Sequence, residues 1–502
     1  MSINNQPSIL RKILSVSGVV ILAKFLGFFK QVITASYFGA TIQTDLISLS
    51  EGLVSNIDYM LVQALSTAFV PTYITISAKE PVNRKRFTAN VLVTFLTITF
   101  LIFVLLFITA PVVAKILAPT YDAVFSLQLV KYIRIYAPAI LWVVELAVFN
   151  ALLRANERFL PGELISCNQS VIMILLILSV GSCMGPDILV LGFYIYTIFN
   201  LCFLMVYSRK YWTLSLHGAF ADPSVKQLLI MMGPLLLGYS MVFVNQQVDR
   251  IIVSGLGVGI VTAMGYAAVL SNFVGTFVGS ICGVTFTYIS QNIAEHKEQD
   301  AAKLITSTSI WLITLFLPIS VLTVANSSDI VTIVFQHGKF DETAVMQCAI
   351  ALSGYGLMFV ALVLREQFSR FQYAYGDSKR PMINSSIAIV FNIIFSILLS
   401  RLLGVLGVTL ATSLSVLICA ILNIRSSIER NSNLRLSALL QYLPQWLIGI
   451  IICLGVSFLG QKYLNDSGSL IRFLGVTILS FALYGIVVWQ ILRPFIIQLN
   501  NR

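Results

Sequence analysis

Hydrophobic residues run along this chain in long blocks, separated by short polar breaks that hold most of the charge. A block of about 20 apolar residues crosses a hydrocarbon core of about 30 Å as a helix. Within lipid a helix satisfies its own backbone donors and acceptors, which an open sheet cannot do. The pattern predicts fourteen spans, at 10–36, 43–75, 88–114, 127–153, 162–182, 187–208, 225–255, 260–292, 304–325, 342–375, 382–400, 404–424, 438–460 and 470–492.

Composition agrees. Of 502 residues 58% are hydrophobic and only 11% charged, with mean hydropathy +0.90, against about 25% charged in an average soluble domain. The fold class expected is an all-α polytopic membrane protein. With the N-terminus placed in the cytoplasm, twenty-one of the 32 Lys and Arg fall in cytoplasmic segments or at their helix ends, and seven on the opposite face or at its helix ends. That bias follows the positive-inside rule and predicts a polytopic inner-membrane protein with both termini cytoplasmic. It also accounts for the net charge of +11: the cations are scattered over many short loops and form no stripe for nucleic acid. The polar first dozen residues lack a signal-peptide pattern with a cleavage site, so the first hydrophobic segment reads as a retained helix.

Seven scattered cysteines form no CxxC pair, and His217, His296 and His337 lie far apart, which argues against a zinc or haem site. No GxxxxGK[ST] loop is present to cradle ATP. The loops are too short for a catalytic domain, so a transporter without catalytic residues or a cofactor is expected.

Internal similarity points to two copies. Gln31-Val32 leading to Gly39 recurs as Gln247-Val248 leading to Gly255, and Glu157 before Pro161 recurs as Asp377 before Pro381. Thr72-Tyr73-Ile74 recurs as Thr287-Tyr288-Ile289. An offset of six helices keeps both copies in one orientation, which predicts two six-helix lobes (10–215 and 225–430) and two additional helices (436–495). Gly27, Pro71, Pro138, Gly233-Pro234 and Pro318 interrupt spans where bends would suit a rocking transporter.

Ionisable side chains inside a bilayer need a partner or a wet cavity. The first two spans carry Lys24, Lys30, Asp45, Glu51 and Asp58. Lys24 and Lys30 lie close enough in helical direction to border one cavity wall, which would suit a phosphate-bearing ligand. The same lysines could instead neutralise the nearby acids or snorkel to the interface. Asp249-Arg250, Arg365-Glu366 and Glu145 add further charges within spans.

Several of these positions also carry a family pattern: Leu26-Gly27-Phe28, Phe38-Gly39-Ala40, Thr44-Asp45 and Ala68-Phe69-Val70-Pro71, then Val248-Asp249-Arg250, Phe335 through Phe340, Tyr375-Gly376-Asp377 through Pro381, Asn392, and Gly407 through Ser413. The series resembles the MurJ/MviN family of lipid II flippases, within the multidrug/oligosaccharidyl-lipid/polysaccharide exporter superfamily. The resemblance implies fourteen helices, a central cavity and a lipid-tail groove near the last two. It implies substrate-binding roles for Lys24 and Lys30, which fall at the family's helix-one basic positions, and places Asp45 at an acidic position opening helix two. Asp45, Glu51 and Asp58 are expected to balance or gate the cavity. The sequence departs from the family where Ile57-Asp58 replaces an arginine pair, and where Ala268-Val269 and Asn272 replace an Asp-Arg followed by Glu. Sodium binding in some family members implies a metal set of Asp249, Asn392, Val408 and Thr412, with Ser396 at a position that can be acidic.

The expected activity is translocation of an undecaprenyl-pyrophosphate-linked peptidoglycan precursor by alternating access, driven by sodium or the membrane potential. The expected partners are that polyprenyl-linked sugar, membrane lipid and the cell-wall synthesis machinery, with no nucleic acid. Alternatives are a flippase for another lipid-linked glycan (capsule, O-antigen-like or teichoic), or a drug/cation antiporter, which fits poorly with Lys24 and Lys30.

Overall fold

The computed structural model describes residues 6–79, 83–213, 222–434, 437–464 and 467–500, and every regular element among them is helical. In chain order these are α1 (Gln6–Phe38), α2 (Ile42–Lys79), α3 (Arg84–Leu117), α4 (Ala123–Tyr136), α5 (Ile140–Ala155), α6 (Leu160–Met184), α7 (Ile188–Ser208), α8 (Pro223–Ser254) and α9 (Ile260–Ala294). There follow α10 (Glu298–Ala325), α11 (Ser327–Phe335), α12 (Glu342–Gly356), α13 (Phe359–Ala374), α14 (Lys379–Leu403), α15 (Val405–Arg430), α16 (Ser437–Leu440), α17 (Leu443–Tyr463) and α18 (Ser469–Asn500). His217 lies outside the described residues.

Twelve described stretches are long and apolar enough to cross a membrane, and thirteen when the bent pair α12–α13 is taken as one span. One of the twelve, Leu160–Ser208, has 49 residues; as a single rod it would reach about 74 Å, more than twice the hydrocarbon core. It is α6 and α7 folded back along each other, with the reversal at Gly185 in the left-handed region (φ 64°). Counting it as two crossings gives the fourteen expected. Large apolar side chains such as Leu402 (79% exposed) and Leu237 (74%) face outward. Such exposure is tolerable only against lipid.

The pseudo-repeat is visible in the helix ends. Asp122 and Asp341, 219 residues apart, cap α4 and α12, each Oδ1 accepting the backbone N–H three residues on at 2.8 Å. The same offset relates Gly185 to Gly404, both left-handed, and relates both ends of α6 to those of α14. It also pairs left-handed Glu157 with left-handed Gly376, each closing a helix of which the next residue's N–H returns to a carbonyl five positions back (Arg158 to Leu153, Asp377 to Gln372). The motif reading matched Glu157 with Asp377. The backbone moves that pairing by one residue.

Of the interrupting prolines, Pro138 lies in a 3₁₀ stretch, Ala137–Ala139, between α4 and α5, whereas Pro71, Pro234 and Pro318 sit inside continuous helices. The equivalent break between α12 and α13 contains no proline, yet it bends by 44°. There the hydroxyls of Ser320 and Ser413 donate to the carbonyls of Gly356 and Gly354, each at 2.6 Å. Hydroxyls that capture the last carbonyls of α12 loosen its ladder and open the bend.

The described chain gathers into two compact units. Unit one runs to Val261 and includes Gly338–Phe340; unit two comprises Thr262–His337 and the chain from Asp341 onward. In unit one α8 packs along α2 and α3, and α1 packs along α6. Its core stacks Phe69 on Tyr73 and Phe87. In unit two α17 and α18 dock on α10 through Trp446 Nε1 to Thr314 Oγ1 (3.0 Å) and Tyr484 OH to the Thr314 carbonyl (2.8 Å). Arg472 of α18 adds a largely buried ion pair with Asp329 of α11.

Candidate functional site

Helix α2 presents its charges with helical logic: Glu51 and Asp58 are seven residues, two turns, apart and share a face. Asp58 is 4% exposed, and its Oδ1 accepts no hydrogen bond among the described residues. Glu51 is half-buried and lies in the electrostatic field of Lys30 from α1 and Arg250 from α8. Both cations act on this carboxylate within unit one. The phenols of Tyr136 and Tyr196 also feel Glu51, and Tyr196 feels Asp58 as well.

Arg250 holds its place through a cleft in α2. Its Nη1 donates to the Ser48 carbonyl at 2.7 Å, and a Cβ at Gly52 would stand 1.2 Å from that same nitrogen. Glycine at 52 therefore opens a slot one guanidinium wide. Sequence inspection noticed Arg250 but gave it no role; the signal available was a small residue on α2 facing an arginine on α8, which only packing brings together.

Lys24 and Lys30 separate. Lys30 is half-buried and faces Glu51, whereas Lys24 is exposed, among the exposed side chains Ile21, Leu22 and Phe25. Asp45 stands apart from both. Fully buried, its Oδ2 accepts the Gly259 N–H at 2.6 Å, so it ties the start of α2 to the turn before α9. Glycines make that turn region possible: a Cβ at Gly259 would come within 2.4 Å of the Ala40 carbonyl, and one at Gly39 within 2.4 Å of the Lys339 carbonyl. The Lys339 N–H donates to the Ser36 carbonyl at 2.8 Å. The Phe38-Gly39-Ala40 and Gly338-Lys339-Phe340 motifs are thus interlocked turns. Burial, then the neighbouring Asp45, pushes the Tyr121 phenol of this region well up from its ordinary value. Ile57, at a position where arginine was expected on family grounds, packs against the unit-one core.

Among the residues expected to hold sodium, three meet in unit two. Asn392 Nδ2 lies 3.4 Å from Thr412 Oγ1 and 3.2 Å from Ser415 Oγ, Ser396 donates to Asn392 Oδ1 at 3.3 Å, and Thr412 donates to the Val408 carbonyl at 3.2 Å. Asp249 belongs to unit one. The gathered oxygens are neutral and already engaged with one another, and no cluster of three His, Cys, Asp or Glu able to hold a metal occurs among the described residues.

The sequence matches the family described as Lipid II flippase MurJ over residues 34–478. A protein named Probable lipid II flippase MurJ from Treponema pallidum is 22% identical over 426 residues, spanning 82% of this chain and 80% of the relative. Its namesake from Borreliella burgdorferi is 22% identical over 463 residues, 89% and 88% of the two chains. Among solved structures, a lipid II flippase MurJ in an inward closed conformation superposes with TM-score 0.77 at 20% identity, covering 95% of this chain and 99% of the other. An inward-facing multidrug resistance MATE transporter of the MOP superfamily gives 0.60 at 14% identity, over 84% and 98%; it shares the fold. The fourteen crossings make the chain a multi-pass protein of the cytoplasmic membrane, and the matched stretch takes in nearly all of them, Glu51 and Arg250 included. By that match the chain belongs to the MurJ family of lipid II flippases.

Proposed function

We propose that the chain carries lipid II, an undecaprenyl-pyrophosphate-linked peptidoglycan precursor, from the cytoplasmic to the outer leaflet by alternating access. The observation that carries this reading is the collinear family match over residues 34–478, which runs through the charged interior of unit one. Lys30 and Arg250 bring two cations into the field of Glu51, and cations of this kind suit a pyrophosphate. Lys24, exposed on the same helix as Lys30, meets the headgroup first while the polyprenyl tail stays in lipid. Asp58 keeps the deeper part of the site polar, and Asp45 serves the site by holding the turn that starts α2. Both termini face the cytoplasm, as the distribution of Lys and Arg requires. The membrane potential biases the cycle, at about 2.3 kcal/mol per charge per 100 mV. Sodium is a second candidate driver, through Asp249, Asn392, Val408 and Thr412.

The test is rescue of a bacterium depleted of its own lipid II flippase, comparing wild type with Lys24→Ala, Lys30→Ala and Arg250→Ala at matched membrane levels. Rescue by wild type and failure of Lys30→Ala and Arg250→Ala is the expected result. A well-expressed wild type that does not rescue assigns the cargo to a different lipid-linked glycan.

A further inference from the structure

Unit two contains a second charged cluster within a membrane-spanning helix, and the lipid II reading above does not use it. On α13, Arg365 Nη2 lies 2.7 Å from Glu366 Oε1, and Arg370 Nε lies 3.6 Å from Glu366 Oε2. All three side chains are about one-third exposed, at 34%, 27% and 28% for Arg365, Glu366 and Arg370. Two guanidinium groups therefore share one carboxylate, and no second acidic partner is seen for them among the described residues of unit two.

Its donors are incompletely used. Arg370 Nε is buried and makes no hydrogen bond within the limits of a good one, and Gln367, fully buried one turn before it, has neither amide atom partnered among the described residues. Space has been kept for the Arg370 guanidinium, since a Cβ at Gly283 of α9 would approach its Nη1 to 3.3 Å. Cys282 of α9 and Cys419 of α15 lie within the field of the cluster and bring no anion to it.

A structural ion pair needs one cation per carboxylate, and a surplus arginine inside a membrane protein is costly unless something anionic visits. Paired guanidinium forks match phosphate oxygens better than point charges do. We propose that Arg365 and Arg370 form a binding site for the phosphate of a lipid headgroup, with Glu366 as the resident counter-ion that the phosphate displaces. The site deepens the lipid II reading by adding a second phosphate contact in unit two, and the chemistry it selects is a phosphate ester or pyrophosphate on a lipid.

The test uses the full-length protein in nanodiscs and measures binding of lipid II by native mass spectrometry, with phosphatidylglycerol and inorganic pyrophosphate as separate competitors. Arg365→Ala and Arg370→Ala are expected to weaken binding about tenfold or more, with Arg365→Lys and Arg370→Lys intermediate. Glu366→Gln is expected to strengthen it several-fold, because the competing carboxylate is gone. Competition by phosphatidylglycerol at equal concentration would assign the site to phospholipid phosphate, and competition by pyrophosphate alone to the polyprenyl headgroup; either supports a phosphate site. The proposal is overturned if Glu366→Gln loses binding as the arginine variants do, or if no phosphate probe depends on Arg365 and Arg370 in variants that melt like wild type. Loss of lipid II binding in Lys30→Ala with normal binding in the α13 variants would overturn this inference and leave the proposed function standing.

Discussion

Equivalent helices of the two units begin on the same cap, Asp122 in one and Asp341 in the other, and then diverge in what they carry. Where unit two has Arg365, Glu366 and Arg370, the positions 219 residues earlier in unit one are Leu146, Ala147 and Ala151. Unit one instead concentrates its charge on Lys30, Glu51 and Arg250, drawn from α1, α2 and α8. Caps, reversals and helix lengths repeat because they build the scaffold. The charges do not repeat at those positions. Each set brings two cations near a glutamate, from unrelated positions.

The comparison breaks most sharply at the unit-one set. Arg250→Ala leaves Glu51 half-buried with one cation fewer, and removing one member of a buried charge set costs up to about 4 kcal/mol. We expect loss of rescue and a lowered melting temperature. Adding Glu51→Gln should restore melting and leave rescue absent, which separates folding from transport.

Next comes Arg472→Ala in unit two, which strands the buried Asp329 carboxylate (4% exposed) at a cost of about 3 kcal/mol. The expected readout is faster proteolysis within α17–α18, with Arg472→Ala/Asp329→Asn partly protected. Gly52→Ala places a methyl where the Arg250 guanidinium sits, and overpacking of this kind costs about 2 kcal/mol. Rescue should fall with it, whereas Gly238→Ala, where a Cβ meets open space, should behave as wild type. The smallest effect sharpens the symmetry: Asp122→Ala and Asp341→Ala should each lower stability by about 1 kcal/mol, equally and without loss of rescue. Unequal losses in thermal melts would mean that the repeated caps no longer do equal work.

Much of the fold was legible because its causes are local. Apolar block length fixed the crossings, whereas the reversals at Gly185 and Gly404 showed only in the backbone. The 44° bend after α12 was not legible: Pro138 announced a break in unit one, but in unit two the corresponding bend depends on Ser320 and Ser413 reaching from α10 and α15. In the candidate site the charged positions on α1 and α2 were visible and their assignments were not. Asp45 was expected among the cavity charges, and it holds the Gly259 turn. Lys24 and Lys30 were expected either on one cavity wall or neutralising the nearby acids, and of the two Lys30 lies in the field of Glu51 while Lys24 is exposed.

The sequence by itself determined that this chain is a bundle of membrane helices, because hydrophobic length acts over a few residues of chain. Only the tertiary structure decided which charges meet. Arg250 reaches Ser48 and the slot at Gly52 across about two hundred residues of sequence, and Arg370 is accommodated at Gly283 of another helix. Which partner a charge finds in a low-dielectric interior depends on distances of a few ångströms between helices, and packing alone sets those distances.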